Sequence, residues 1–185
     1  MIMKLINKWI PLIVFGILFT LCCILSACQN QEIKPNGKVE YNYVFINNED
    51  NLYIRTGAVD NVFVGKVVKK VSNIVNDDKP DTIYQIEVLE NLKGELVVDV
   101  EAKYHGGYRK DGTLILNTGD IIVDDGLPEV GETYIFSTFS QPDGSLLIAD
   151  LTKKLYSEET KKEFQDYIEN QEENNRERFS SKYDK

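Results

Sequence analysis

Two apolar, β-branched runs separated by a short polar turn constrain this chain more than any other feature. Val62-Phe63-Val64-Gly65-Lys66-Val67-Val68-Lys69-Lys70-Val71 is rich in residues that suit a pleated, half-buried surface. Thr82 to Leu89 alternates Ile83, Gln85 and Glu87 with Tyr84, Ile86 and Val88, so one face is apolar and the other partly polar. Asn76-Asp77-Asp78-Lys79-Pro80 lies between them as a hairpin loop. Paired strands follow.

The same period of two places a strand over Val39 to Ile46, whereas Leu52 to Val59 reads equally as a short helix or an extended piece. Asn91-Leu92-Lys93-Gly94 predicts a turn and Leu96 to Ala102 a third strand. Tyr104 to Gly112, with three glycines among aromatics and charges, reads as a loop. Thr113 to Leu116 and Asp120 to Val123 are short candidate strands, with Asp124 to Pro128 an acidic loop between them and a further strand, Thr133 to Phe139. Gln141-Pro142-Asp143-Gly144 turns that strand back into Leu146 to Ala149. After Leu151 the composition changes: Ser157 can cap a helix whose first turn holds Glu158 and Glu159, with Phe164, Tyr167 and Ile168 on one face. Gln171 to Arg178 has no apolar stripe, so the tail is expected to be frayed or solvated. Short strands followed by one helix predict a mostly β fold, a small antiparallel barrel or sandwich ending in a C-terminal α-helix.

The first 28 residues carry a different message. Lys4 and Lys8 precede an almost wholly apolar run from Ile10 to Leu25, and Ser26-Ala27 supplies small residues before Cys28. The order Leu25-Ser26-Ala27-Cys28 resembles the lipobox of bacterial lipoprotein precursors. That resemblance implies cleavage before Cys28 and its acylation, with the domain on the extracytoplasmic face of the cell membrane. Each buried methylene contributes about 0.8 kcal/mol, and two or more acyl chains anchor stably where one does not. An uncleaved transmembrane anchor would leave the small-small-Cys ending unexplained, and Pro11 sits near the start of an apolar run close to the minimum for a span. The organisation expected is a signal over 1–27, a lipidated start and flexible spacer over 28–38, a barrel domain over 39–151, and a helix with a polar tail over 152–185.

Removing the first 27 residues, which hold two lysines and no acid, leaves 158 residues and moves the formal charge from −9 to −11. One core is the natural count. So acidic a domain repels nucleic acid and anionic headgroups, so the bilayer is engaged through acylated Cys28 and no nucleic-acid partner is expected. Cys22 and Cys23 lie in the signal, which leaves no disulfide, no thiol nucleophile and no cysteine zinc site.

Three stretches, Gly57 to Val67, Tyr84 to Gly94 and Gly131 to Phe136, resemble the OB-fold core of tissue-inhibitor-of-metalloproteinase-like (netrin-like) domains. The resemblance covers about Val59 to Ala149 and implies an OB-like barrel. Inhibition does not carry over: the animal inhibitors use disulfides and a free amino-terminal cysteine, and Cys28 here would be acylated.

No catalytic set is legible and no cofactor or metal is expected. Tyr104, His105, Tyr108 and Arg109 form the candidate ligand-binding group, because OB-type barrels bind extended ligands through a face and adjoining loops with aromatic stacking. The function expected is a tethered, non-enzymatic binding or assembly module for an envelope protein or glycan. The alternative is a metal- or carboxylate-dependent enzyme using His105, Asp120, Asp124, Asp125 and Glu129 within 104–129.

Overall fold

The computed structural model describes residues 37–41, 51–76, 79–117, 126–149, 152–155 and 157–185. In chain order these form β1 (Gly37–Tyr41), α1 (Leu52–Ala58), β2 (Asn61–Asn76), β3 (Lys79–Lys93), β4 (Asp99–His105), β5 (Gly107–Tyr108), β6 (Thr113–Asn117), β7 (Thr133–Ser140), β8 (Leu146–Ile148), β9 (Lys153–Lys154) and α2 (Glu158–Glu169). The stretch before Gly37, with Cys28, and the expected strand over 120–123 lie outside the described residues.

Five strands close into a barrel in the order β2-β3-β4-β8-β7, with β7 returning to β2. This is the OB-like barrel and C-terminal helix expected from the sequence. One pair departs from an all-antiparallel arrangement, since β4 and β8 run parallel, with Ala102 opposite Leu146. Parallel neighbours need a crossover; here the chain makes β5, β6 and β7 before returning.

Closure depends on β2 serving two neighbours. Asn61 to Lys66 pairs with β7 while the strand from Val62 to Asn76 pairs with β3, and four register shifts let it bend between them. Gly65 sits at the corner, where an added Cβ would stand 2.6 Å from Ile86 Cγ2 and 2.9 Å from Phe63 Cε2. Phe63 stacks on Phe136 at 5.5 Å inside, with Tyr84, Ile86, Tyr104, Tyr134 and Leu146.

Outside the barrel a second apolar layer joins Val62, Val64, Ile135 and Leu147 to Ala58 of α1 and Phe164 of α2. That layer explains the unbroken apolar run at the start of β2, which is covered on both faces. Ser157 caps α2 through Thr160 N–H, and burying Phe164 there contributes roughly 2–3 kcal/mol. The ambiguous segment from Leu52 is helical because Asn51 Oδ1 accepts from the N–H groups of Tyr53 and Ile54. The two helices meet where Tyr53 donates to Asp166 at 3.0 Å.

Three expectations need correction. Strand β3 runs on to Lys93, the turn falls at Gly94 (φ +74°), and the third barrel strand starts at Asp99. The segment from Tyr104 is not an open loop: β4 extends through His105, and β5 pairs with β6, which pairs in turn with β1. The tail beyond Asn170 is neither frayed nor free. It lacks an apolar stripe because it is an extended strap bound through polar groups: Glu172 N–H donates to Tyr53 O, Lys182 N–H to Gly144 O, and Leu96 bridges Asp184.

The strap solves a problem that α1 cannot solve alone. A seven-residue helix leaves its last carbonyls without intrahelical partners and its negative dipole end uncompensated. Lys93 Nζ donates to Thr56 O at 2.6 Å, Arg178 Nη2 to Gly57 O at 2.6 Å, and Arg176 Nε to Ala58 O at 2.6 Å. Asp60 balances the cations, accepting from Arg178 Nη1 at 2.9 Å, pairing with Arg176, and accepting the Ser140 N–H at 2.8 Å.

Burial lowers Lys93 to about 8, with Arg178 and Arg176 adding to the effect and Asp60 opposing it. Between pH 8 and the ordinary value of 10.5 the unfolded chain holds a proton that folded Lys93 has released, so this group makes stability rise with pH across that interval. Tyr84 and Tyr134, raised chiefly by burial, oppose the trend above about pH 10. The denaturation midpoint of the native chain is therefore expected to be higher at pH 10 than at pH 8. Lys93→Met should flatten that rise, and an unchanged rise would show that Lys93 is not its source.

Candidate functional site

The four candidate residues sit where β4 leaves the barrel and β5 begins, but they do not form one exposed group. Tyr104 is 2 % exposed and belongs to the barrel interior, so its ring is committed to the core and not presented to a ligand. The strand alternation that points Tyr104 inward points its neighbour His105 outward. There His105 Nδ1 lies 2.6 Å from Asp81 Oδ1, directly across the β3–β4 pair, with Lys103 Nζ 4.0 Å from Asp81 Oδ2.

Tyr108 is half-buried and fixed by its backbone. Asn73 of β2 donates from Nδ2 to Tyr108 O at 2.7 Å and accepts Tyr108 N–H on Oδ1 at 3.0 Å. Thr82 Oγ1 donates to Gly106 O at 2.7 Å in the same cluster. Gly107 holds φ +147°, and a Cβ there would collide with Asn73 Oδ1, so the clip requires glycine. The Lys70 ammonium stands 5.2 Å from the centre of the Tyr108 ring. Arg109 N–H donates to Thr113 O, which turns the chain from β5 into β6.

The outer face beside this corner is a polar grid fixed by register. Ile74, Asp81 and His105 form one row; Ser72, Ile83 and Lys103 the next; then Lys69, Gln85 and Glu101; then Lys66, Glu87 and Asp99. Both signs are interspersed: Asp81 faces His105 in the first row, and Lys69 and Lys66 share the last two rows with Glu101, Glu87 and Asp99. An OB-type barrel uses the corresponding strands as its ligand face.

The carboxylates proposed for an enzyme are not gathered at this corner by the described residues. Asp120, Asp124 and Asp125 lie outside those residues. Glu129 stands 3.9 Å from Lys154 Nζ, while His105 is held by Asp81. No group of three or more His, Cys, Asp or Glu suited to a metal occurs among the described residues. Sequence reasoning passes over Asn73 and Thr82 and reads Asp81 as a solvated acid of the first hairpin loop, whereas it lies in β3 opposite His105; these three hold the corner together. The one available signal was Asn73, a polar side chain interrupting a β-branched run between Val71 and Ile74. Among the described residues no helix is long and apolar enough to cross a membrane.

Compared with models of known protein families and with curated proteins, the chain matches none.

Proposed function

We propose that the protein is a lipoprotein of the cell envelope, anchored through acylated Cys28 on the extracytoplasmic face, whose barrel is a non-enzymatic binding or assembly module. The reading of Leu25-Ser26-Ala27-Cys28 supplies the anchor. The observation that carries the binding role is the corner itself: Tyr108 is locked by Asn73 beside Arg109, with Lys103 and His105 on the adjoining face. A partly exposed aromatic ring held by its backbone loses little freedom on contact, and neighbouring cations favour an acidic or hydroxyl-rich partner. An envelope protein segment or glycan has that chemistry.

The test compares envelope material captured by the acylated native chain and by a Tyr108→Ala, Arg109→Ala variant. A stacked aromatic anchor contributes of the order of 2 kcal/mol, so capture should fall at least about tenfold without a change in the thermal midpoint. Equal capture by both proteins would remove this corner from the binding role.

A further inference from the structure

We propose that the distal half of β2, from Lys66 to Ile74, is the face that rests on the bilayer, its valines entering the interface and its lysines meeting anionic phospholipid headgroups. The proposal rests on the lipid anchor proposed above, and adds how the tethered domain is oriented.

The strand is anomalous in two ways. Val68, Val71 and Ile74 are each 43 % exposed on one strand. The pairing with β3 passes from Val67 to Lys69 and from Lys70 to Ser72, so Val68 and Val71 are the bulged residues, turned out of the ladder. A bulge re-aims its side chain. Two bulges that each expose a valine place apolar surface on an edge that ordinarily carries charge for protection. Beyond Val67 no strand among the described residues pairs with the other edge of β2.

Charge is the second anomaly. The chain has 30 acidic and 21 basic residues, yet Asn61 to Asn76 carries Lys66, Lys69 and Lys70 and no acid. All three lysines are exposed, Lys70 with its ammonium over the Tyr108 ring. Acids flank the proximal end of this stretch, with Glu87 across from Lys66 and Glu132, paired with Lys154, beside it on the β7 side. At the distal end Asp81, across from Ile74, is held by His105. Overall repulsion of anionic lipid acts at a distance; within a Debye length of about 8 Å, local lysines decide. Apolar side chains flanked by lysines suit the boundary between headgroup and acyl chain.

The tether leaves on the same side. Gly37 opens β1 opposite Thr113 of β6, and Lys38 lies opposite Leu114, which pairs with Tyr108. Tyr108 is clipped to Asn73 of β2. The tether point is thus about two strand spacings, roughly 10 Å, from the clip. Residues 29–36 join Cys28 to Gly37 and span at most about 30 Å. An anchor that short keeps the β2 edge within reach of the membrane.

The acylated full chain, carrying Val71→Cys or, as a control at the exposed position just before β4, Val98→Cys, would be labelled with an environment-sensitive fluorophore. It would then be reconstituted into vesicles containing phosphatidylglycerol and shallow spin-labelled lipid. Flotation reports the anchor and quenching reports the face. Flotation with quenching at position 71 and not at 98, lost when Lys66, Lys69 and Lys70 are all changed to Gln, supports the proposal. Flotation with position 71 unquenched overturns it and leaves the anchor standing. Shielding of position 71 in detergent without vesicles, with a doubled mass, overturns it in favour of a second copy on the β2 edge. Failure to float overturns both.

Discussion

Replacing Asp60 by alanine is expected to destabilise the protein by about 3 kcal/mol, because the carboxylate is itself largely buried and its removal strands two guanidiniums and a strand N–H at once. The side chain is 12 % exposed and satisfies Arg176, Arg178 and the Ser140 N–H together. Its loss leaves two guanidiniums facing the lowered Lys93 with no counter-charge, and a strand N–H without its acceptor. For a domain of this size the thermal midpoint should fall by roughly 6–12 °C. Glu90→Ala is the comparison: it breaks an equally short pair, Lys161 Nζ at 2.5 Å, but an exposed one, so it should cost less than about 1 kcal/mol. A shift for Asp60→Ala no larger than that of Glu90→Ala would mean that the cationic cap does not hold the strap.

Gly57→Ala should reverse sign with the length of the chain. Inside a helix alanine is favoured over glycine by about 1 kcal/mol. In the complete protein, however, the new Cβ would overlap the carbonyl oxygen of Glu172, which is backbone and cannot swing aside. The strap must lift, losing the Glu172 N–H bond to Tyr53 O and straining the Arg176 and Arg178 contacts, at a net cost of about 2 kcal/mol. In a chain ending at Asn170 the obstacle is gone and the same substitution should stabilise. Urea midpoints of the four proteins decide the matter: stabilisation in both backgrounds would show that the strap does not pass over Gly57.

Both substitutions concern contacts that no local pattern announces. The strands β2, β3 and β7, the Asp143-Gly144 turn and the capped helix α2 were legible, because alternation, turn chemistry and capping are local and each pointed the same way. The candidate corner was legible only in part. Tyr104 and His105 differ by one position, and whether the segment is a loop or the end of β4 decides which ring is buried and which is outside. Strand register across β3 made that choice.

By itself the sequence determined the strands β2, β3 and β7 and the capped helix α2, and it carries the Leu25–Cys28 ending on which the proposed anchor depends. Periodicity and turn residues suffice there, since each acts over a few neighbours. Only the tertiary structure decided that β4 lies parallel to β8, that Asn73 clips Tyr108, and that the polar run after Asn170 caps α1 instead of dissolving into solvent. Those contacts join residues separated by tens to more than a hundred positions, and polar side chains that bond to backbone carbonyls leave no hydrophobic period to read.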